Sequence, residues 1–319
     1  MIGATARNLA PSLLLLALGG CSTDRLLEAA AAQPRAEISG APYFSQRDHQ
    51  CGPAALATLL GVAGEPVTPD TLAHEVFIPG RKGSVQAEML AAVRRHGRVA
   101  LALAPTLPAL LKEIEQGRPV LVLQNFGLPA LPLWHYAVVV GYERERDTML
   151  LSGGRGRQQR LAARRFLGTW GRADNWAFIA LRPGELPADM HAAPLLDAVA
   201  SLEALGQRES AAASYQAAIR RWPSEALAWF ALANNQLALG ETAAAETAFR
   251  EVLRVQPDHL PARNNLALLL ARRGCIAAAT EALAPARVAA DGGPFAAEIA
   301  DSWHEIQALG AEAPACQAH

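Results

Sequence analysis

An α+β layer domain followed by an all-α repeat array is the fold the sequence predicts, and three observations predict it. Between residues 41 and 187, helix-periodic stretches come first and short β-branched or aromatic runs follow, the order expected when helices cover an antiparallel sheet. From residue 192 a 34-residue period takes over. The 319 residues are 51% hydrophobic, enough for two packed units, and 29 basic side chains face 30 acidic ones. That balance gives no global attraction to nucleic acid or to an anionic surface.

Residues 1–20 are set apart as a targeting segment. Arg7 supplies a positive charge, and residues 9–18 form an apolar run too short to anchor a helix across a bilayer. Leu18-Gly19-Gly20-Cys21 closes the run and resembles a bacterial lipoprotein lipobox. The resemblance implies that Cys21 is acylated and holds the protein on a membrane without spanning it. Ser22, where an aspartate would retain the protein, resembles the outer-membrane sorting pattern of Gram-negative lipoproteins. The implied location is the bacterial cell envelope, at the outer membrane facing the periplasm. No later apolar stretch is long enough for a transmembrane helix. Residues 21–40, polar and alanine-rich with Pro34, read as a tether.

The domain at 41–187 is organised around Gln46 to Leu60, QRDHQCGPAALATLL, where a polar loop turns into an alanine-rich helix. Cys51 stands at the junction, with Gly52 and Pro53 in the first turn, where a proline's missing N–H costs nothing. A thiol there faces the positive end of the helix and its free N–H groups, so a lowered pKa and an available thiolate are expected. Val67 to Val76 follows. Ser84 reads as the N-cap of a helix through His96, stopped by Gly97. Val99 to Leu103 reads as a short strand, and Leu107 to Gln116 as an amphipathic helix stopped by Gly117. Pro119 to Gln124, His135 to Glu143, Thr148 to Leu151 and Trp176 to Leu181 read as strands bounded by turn residues.

Peptide-bond hydrolysis by a cysteine needs a thiolate, an imidazole to hold and return its proton, and donors for the developing oxyanion. Cys51 suits the first role. Of the eight histidines only His135 opens an otherwise apolar strand, where a titratable ring is costly to bury without a partner. His49 lies two residues from Cys51 on a loop and is poorly placed to face the sulphur. The N–H of Cys51 with the side chain of Gln46 suits the oxyanion. No His, Cys, Asp and Glu set has metal-ligand spacing, and no cofactor is implied. Of four cysteines, Cys21 is taken by lipid and Cys51 by chemistry, which leaves Cys275 and Cys316 as the one available pair.

Gln46 with Cys51-Gly52-Pro53-Ala54-Ala55-Leu56-Ala57, and His135-Tyr136-Ala137-Val138-Val139-Val140-Gly141-Tyr142 further on, resemble the bacteriocin-processing, double-glycine type of cysteine peptidase, which has a papain-like fold. The likeness covers roughly residues 41–183. It implies Cys51 as nucleophile, His135 as general base and acid, and Gln46 as oxyanion donor. Such peptidases usually carry an aspartate on the strand after the histidine, to orient the imidazole. Here that place reads Leu150-Leu151-Ser152-Gly153-Gly154, without an acid. Ser152, a backbone carbonyl or Asp147 remain as orienters. Losing the orienting carboxylate of the serine triad lowers turnover about 10⁴-fold, so the departure matters.

In the C-terminal part Gly206, Gly240 and Gly274 recur at the same interval, as do Ala211, Ala245 and Ala279, and Tyr215, Phe249 and Leu283. The pattern resembles tetratricopeptide repeats: about 192–225, 226–259 and 260–292, then a capping helix at 295–309 and a tail at 311–319. A stack of such helix pairs forms one elongated unit with a concave groove, suited to recruiting a polypeptide substrate or protein partner. Asn234, Asn235, Asn264 and Asn265 recur on first helices, with the groove as their expected outlook. Two functions follow: an envelope cysteine peptidase acting on a secreted or surface polypeptide, or a peptidase-like scaffold that binds peptides without cutting them. The absent acid favours the second.

Overall fold

The computed structural model describes residues 26–45, 50–81, 83–153, 158–290, 292–310 and 316. The expected targeting segment, Cys21 and Gln46 lie outside these residues. Nine strands and thirteen α-helices are described. An antiparallel sheet runs in the order β4 (Val99–Ala102), β9 (Ala177–Leu181), β5 (Val120–Asn125), β6 (Trp134–Glu143), β7 (Thr148–Ser152) and β8 (Gln159–Ala162). A two-stranded hairpin of β2 (Phe77–Ile78) and β3 (Gly83–Ser84) stands apart from it.

Along β6 the side chains alternate between two cores, because successive residues of a strand project to opposite faces. Tyr136, Val138 and Val140 pack with α2 (Cys51–Val62), α3 (Pro69–Val76) and α4 (Gln86–Arg95). Ala137 and Val139 pack with α5 (Leu107–Glu115) and α6 (Ala163–Gly171) on the other face. The sheet is thus covered on both sides, and β5 is buried at all six positions. Ser84 does not cap α4; the N-cap is Val85, and Ser84 is taken into β3.

The stretch expected to be a tether folds onto the domain from its sixth residue. Leu27, in α1 (Leu26–Ala30), is fully buried in the sheet's core, and β1 (Arg35–Glu37) pairs with the end of β6. Leu27 N donates to Asp147 Oδ1 at 3.0 Å, so α1 is fixed beside the β6–β7 turn, at the opposite end of β6 from His135. Gly141 allows β1 its place: a Cβ there would lie 2.5 Å from Ala36 O and 3.1 Å from Glu37 Cα. The register shift between Val139 and Gly141 marks the same spot as a bulge.

The C-terminal helices pair as the period predicts: α7 (Ala192–Glu203) with α8 (Arg208–Arg221), α9 (Ala226–Ala238) with α10 (Thr242–Val255), and α11 (Leu260–Arg272) with α12 (Ile276–Ala289), followed by α13 (Ala296–Gly310). Gly206, Gly240 and Gly274 take φ of 82°, 78° and 79° where each first helix ends, a left-handed conformation that other residues adopt at a cost. The Asn expectation is corrected in part. Asn235 and Asn264 are buried within the stack, while Asn265 Nδ2 donates to Asn234 Oδ1 at 2.9 Å and ties α11 to α9. Cys275 and Cys316 form a disulfide.

Sheet and repeats share one core. Leu195, Val199 and Leu202 of α7, Tyr215 of α8 and Leu232 of α9 belong to the same cluster as Val99, Leu110 and Ile179. Polar contacts cross the junction as well: Ala188 N donates to Glu113 Oε1 at 2.7 Å, and Lys112 pairs with Asp189.

Candidate active site

Cys51 is the first residue of α2 and lines a cleft of about 650 Å³ with Gly83, Ser84, Val85, Leu123, Trp134 and Tyr136. Gly52 is required by the close approach of β3, since a Cβ there would lie 2.5 Å from Ser84 Oγ. Among the described residues the Ser84 hydroxyl finds no hydrogen-bond partner.

The backbone N–H groups of Tyr136, of Gly52 and of Cys51 itself face the sulphur and favour its charged form. Strand register explains the first. Phe126 N bonds to Leu133 O, so His135 exchanges bonds with Gln124 and Tyr136 turns its N–H to the other edge of β6. β7 has ended at Ser152 by then, which leaves that N–H open to the thiol. That amide joins Tyr136 to His135, but the two side chains part: Tyr136 lines the cleft with Cys51, while His135 lies on the face of Ala137 and Val139 and is not among the cleft's lining residues. Imidazole and sulphur are not hydrogen-bonded to one another. The ring of His135 lies instead against Phe126, with centroids 5.4 Å apart.

Electrostatics runs against the expectation of a ready thiolate. Burial pushes the Cys51 thiol up, and this outweighs the three N–H groups, which act in the opposite direction. Burial also holds the His135 imidazole below its ordinary value. At neutral pH the pair rests as thiol and neutral imidazole. A helix N-terminus lowers a thiol's pKa only as far as the charged form keeps its solvation, and here the sheet and β3 remove it.

The expected orienters are not brought to His135. Ser152 pairs with Val138, three residues along β6, and shares that residue's face rather than the histidine's. Asp147 has a positive φ of 47° in the turn at the far end of β6 and is bonded to Leu27. Gln124 stands directly opposite His135. The sequence reading missed it because only the register of two strands reveals it. Among the described residues, no group of three or more His, Cys, Asp or Glu could hold a metal ion, and no helix is long and apolar enough to cross a membrane.

The rim of the cleft is the β5–β6 connection, where Phe126, Leu128, Leu131, Leu133 and Trp134 are exposed. It is a built loop. Asn125 Oδ1 accepts from Gly127 N and Leu133 N, both at 2.9 Å, and a Cβ on Gly127 would lie 2.2 Å from Leu131 O.

Residues 38–176 match the Peptidase_C39 like family. A C39-like peptidase from Bacillus anthracis superposes with a TM-score of 0.40 at 16% identity, over 47% of this chain and 98% of its own. MamA matches with a TM-score of 0.30 at 16% identity, over 38% of this chain and 80% of its own. A tetratricopeptide repeat and J domain-containing co-chaperone of Fusarium oxysporum f. sp. lycopersici is 36% identical over 95 residues, 30% of this chain. The chain spans 18% of that relative's length.

Proposed function

We propose that this chain, which carries a C39-like peptidase domain ahead of tetratricopeptide-like repeats, is an envelope cysteine peptidase that hydrolyses a peptide bond in a secreted or surface polypeptide. The observation that carries the reading is a helix-terminal thiol whose sulphur is faced by the backbone N–H of Tyr136, the residue that follows His135. With both groups resting neutral, the imidazole takes the thiol proton as the sulphur attacks, in the manner of a hydroxyl nucleophile. A C–S bond forms and the carbonyl π pair moves to oxygen, where the N–H of Cys51, released from the sulphur, and Gln46 as side-chain donor stabilise it. The imidazolium returns its proton to the leaving amine, and water then hydrolyses the thioester with the imidazole again as base.

In this reading the repeats recruit the substrate or an assembly partner, and acyl chains on Cys21 hold the molecule at the outer membrane, facing the periplasm. The test is N-terminal profiling of envelope polypeptides from cells with the wild-type chain, with Cys51→Ala and with His135→Ala. New N-termini are expected in the wild type alone, because removing either partner of such a pair lowers turnover by about 10⁴-fold or more. Identical termini in all three would end the peptidase reading. A second reading is then left, a peptide-binding scaffold, favoured by the raised thiol pKa and by the lack of an acid at the end of β7.

A further inference from the structure

The pairing of β5 with β6 sets Gln124 directly across from His135. Residues opposed in an antiparallel pair project to the same face, with Cβ atoms about 5 Å apart. Phe126, two residues along β5, is the diagonal neighbour and already touches the imidazole. Gln124 is 1% exposed, a burial that a carboxamide tolerates only with partners.

One partner is Thr169 of α6, whose Oγ1 accepts from Gln124 Nε2 at 2.6 Å. The Thr169 hydroxyl gives its single proton to its own helix, to Phe166 O at 2.9 Å. A hydroxyl with its proton committed can only accept from Gln124. This decides which way the amide lies: the NH₂ end meets Thr169, and Oε1 is left as an acceptor on the face that His135 shares.

We infer that Gln124 is the positioning residue of the Cys51–His135 dyad, its Oε1 accepting from the ring N–H of the imidazolium in place of the missing acid. The inference rests on the peptidase reading of those two residues. A carboxamide does this without carrying charge: it fixes the ring and solvates the imidazolium with a dipole. Thr169 holds the amide so that its acceptor end, and not its donor end, is presented.

The test uses the full chain with Gln124→Leu, Gln124→Glu and Thr169→Val, and two readouts. Histidine ring signals are followed by NMR against pH, with His135→Gln identifying the right one. The His135 ring is expected to titrate at lower pH in Gln124→Leu and at higher pH in Gln124→Glu, with Thr169→Val between wild type and Gln124→Leu. Peptide turnover is expected to fall about tenfold to a hundredfold in kcat for Gln124→Leu, with KM unchanged. In Gln124→Glu turnover is retained, with the acid limb of its profile displaced to higher pH. Unchanged His135 titration across wild type, Gln124→Glu and Thr169→Val overturns the inference, even if Gln124→Leu does not fold. Titrations that shift as expected in a chain that cleaves no peptide sink the peptidase reading alone and leave the Gln124–His135 contact standing.

Discussion

At Cys51 two effects oppose each other, and the outcome is a rate that can be read. Three N–H groups favour the thiolate, burial disfavours it, and burial is the larger. The rate of iodoacetamide alkylation of Cys51 is therefore expected to rise with an inflection above about 8.5, the value of an unperturbed thiol. Rapid alkylation at pH 7, independent of pH, would contradict this. For His135 the sign is opposite, because its folded pKa is depressed. Its contribution to stability is present above about pH 6.5 and is lost as pH falls through the lower folded value. Urea unfolding between pH 7 and 5 should show stability falling in the wild type, and falling less steeply in His135→Gln. Gly52→Ala should force Ser84 away and lower turnover without unfolding the chain, since only the β3 hairpin must move. The placement of Cys51 at a helix start and of His135 at the opening of an apolar strand was legible from Cys-Gly-Pro and from the run that follows the histidine. The thiol's pKa direction was not, because it depends on burial by segments distant in sequence.

Elements with strong periodic or β-branched patterns were legible almost to the residue. The strand expected at His135 to Glu143 runs from Trp134 to Glu143, and the helix expected at Leu107 to Gln116 runs from Leu107 to Glu115. Elements whose identity depends on a partner were not legible. β1 has the sequence Arg-Ala-Glu and is a strand only because β6 offers an open edge beside Gly141. β8 exposes three of its four residues and shows no alternation of apolar side chains. Gly141→Ala should detach β1, because the new methyl group would meet the backbone at Ala36 and Glu37 and no side-chain rotation relieves that contact. The expected loss of stability is about 1–3 kcal/mol, the range for overpacking, accompanied by faster amide exchange at residues 35–37. Unchanged exchange there would show that β1 is not held by that close approach.

For the molecule as a whole, the 34-residue period located six helices, yet it gave no sign that the first of them belongs to the sheet's core. Leu195 is fully buried in the cluster that contains Val99 and Ile179. Leu195→Ala should cost about 2–5 kcal/mol, and denaturation followed separately at the sheet and at the first repeat should shift together. Separate midpoints would show two independent units. The attachment of α1 beside Asp147 bears on orientation in the cell. Eight residue steps along β6 from His135 to Glu143 measure about 27 Å, so any leash drawn from Leu26 leaves the molecule at the pole remote from the cleft. A copy held to lipid by that leash would turn its mouth and greasy lip outward, toward chains passing through the surrounding aqueous space and away from those embedded in the bilayer beneath it.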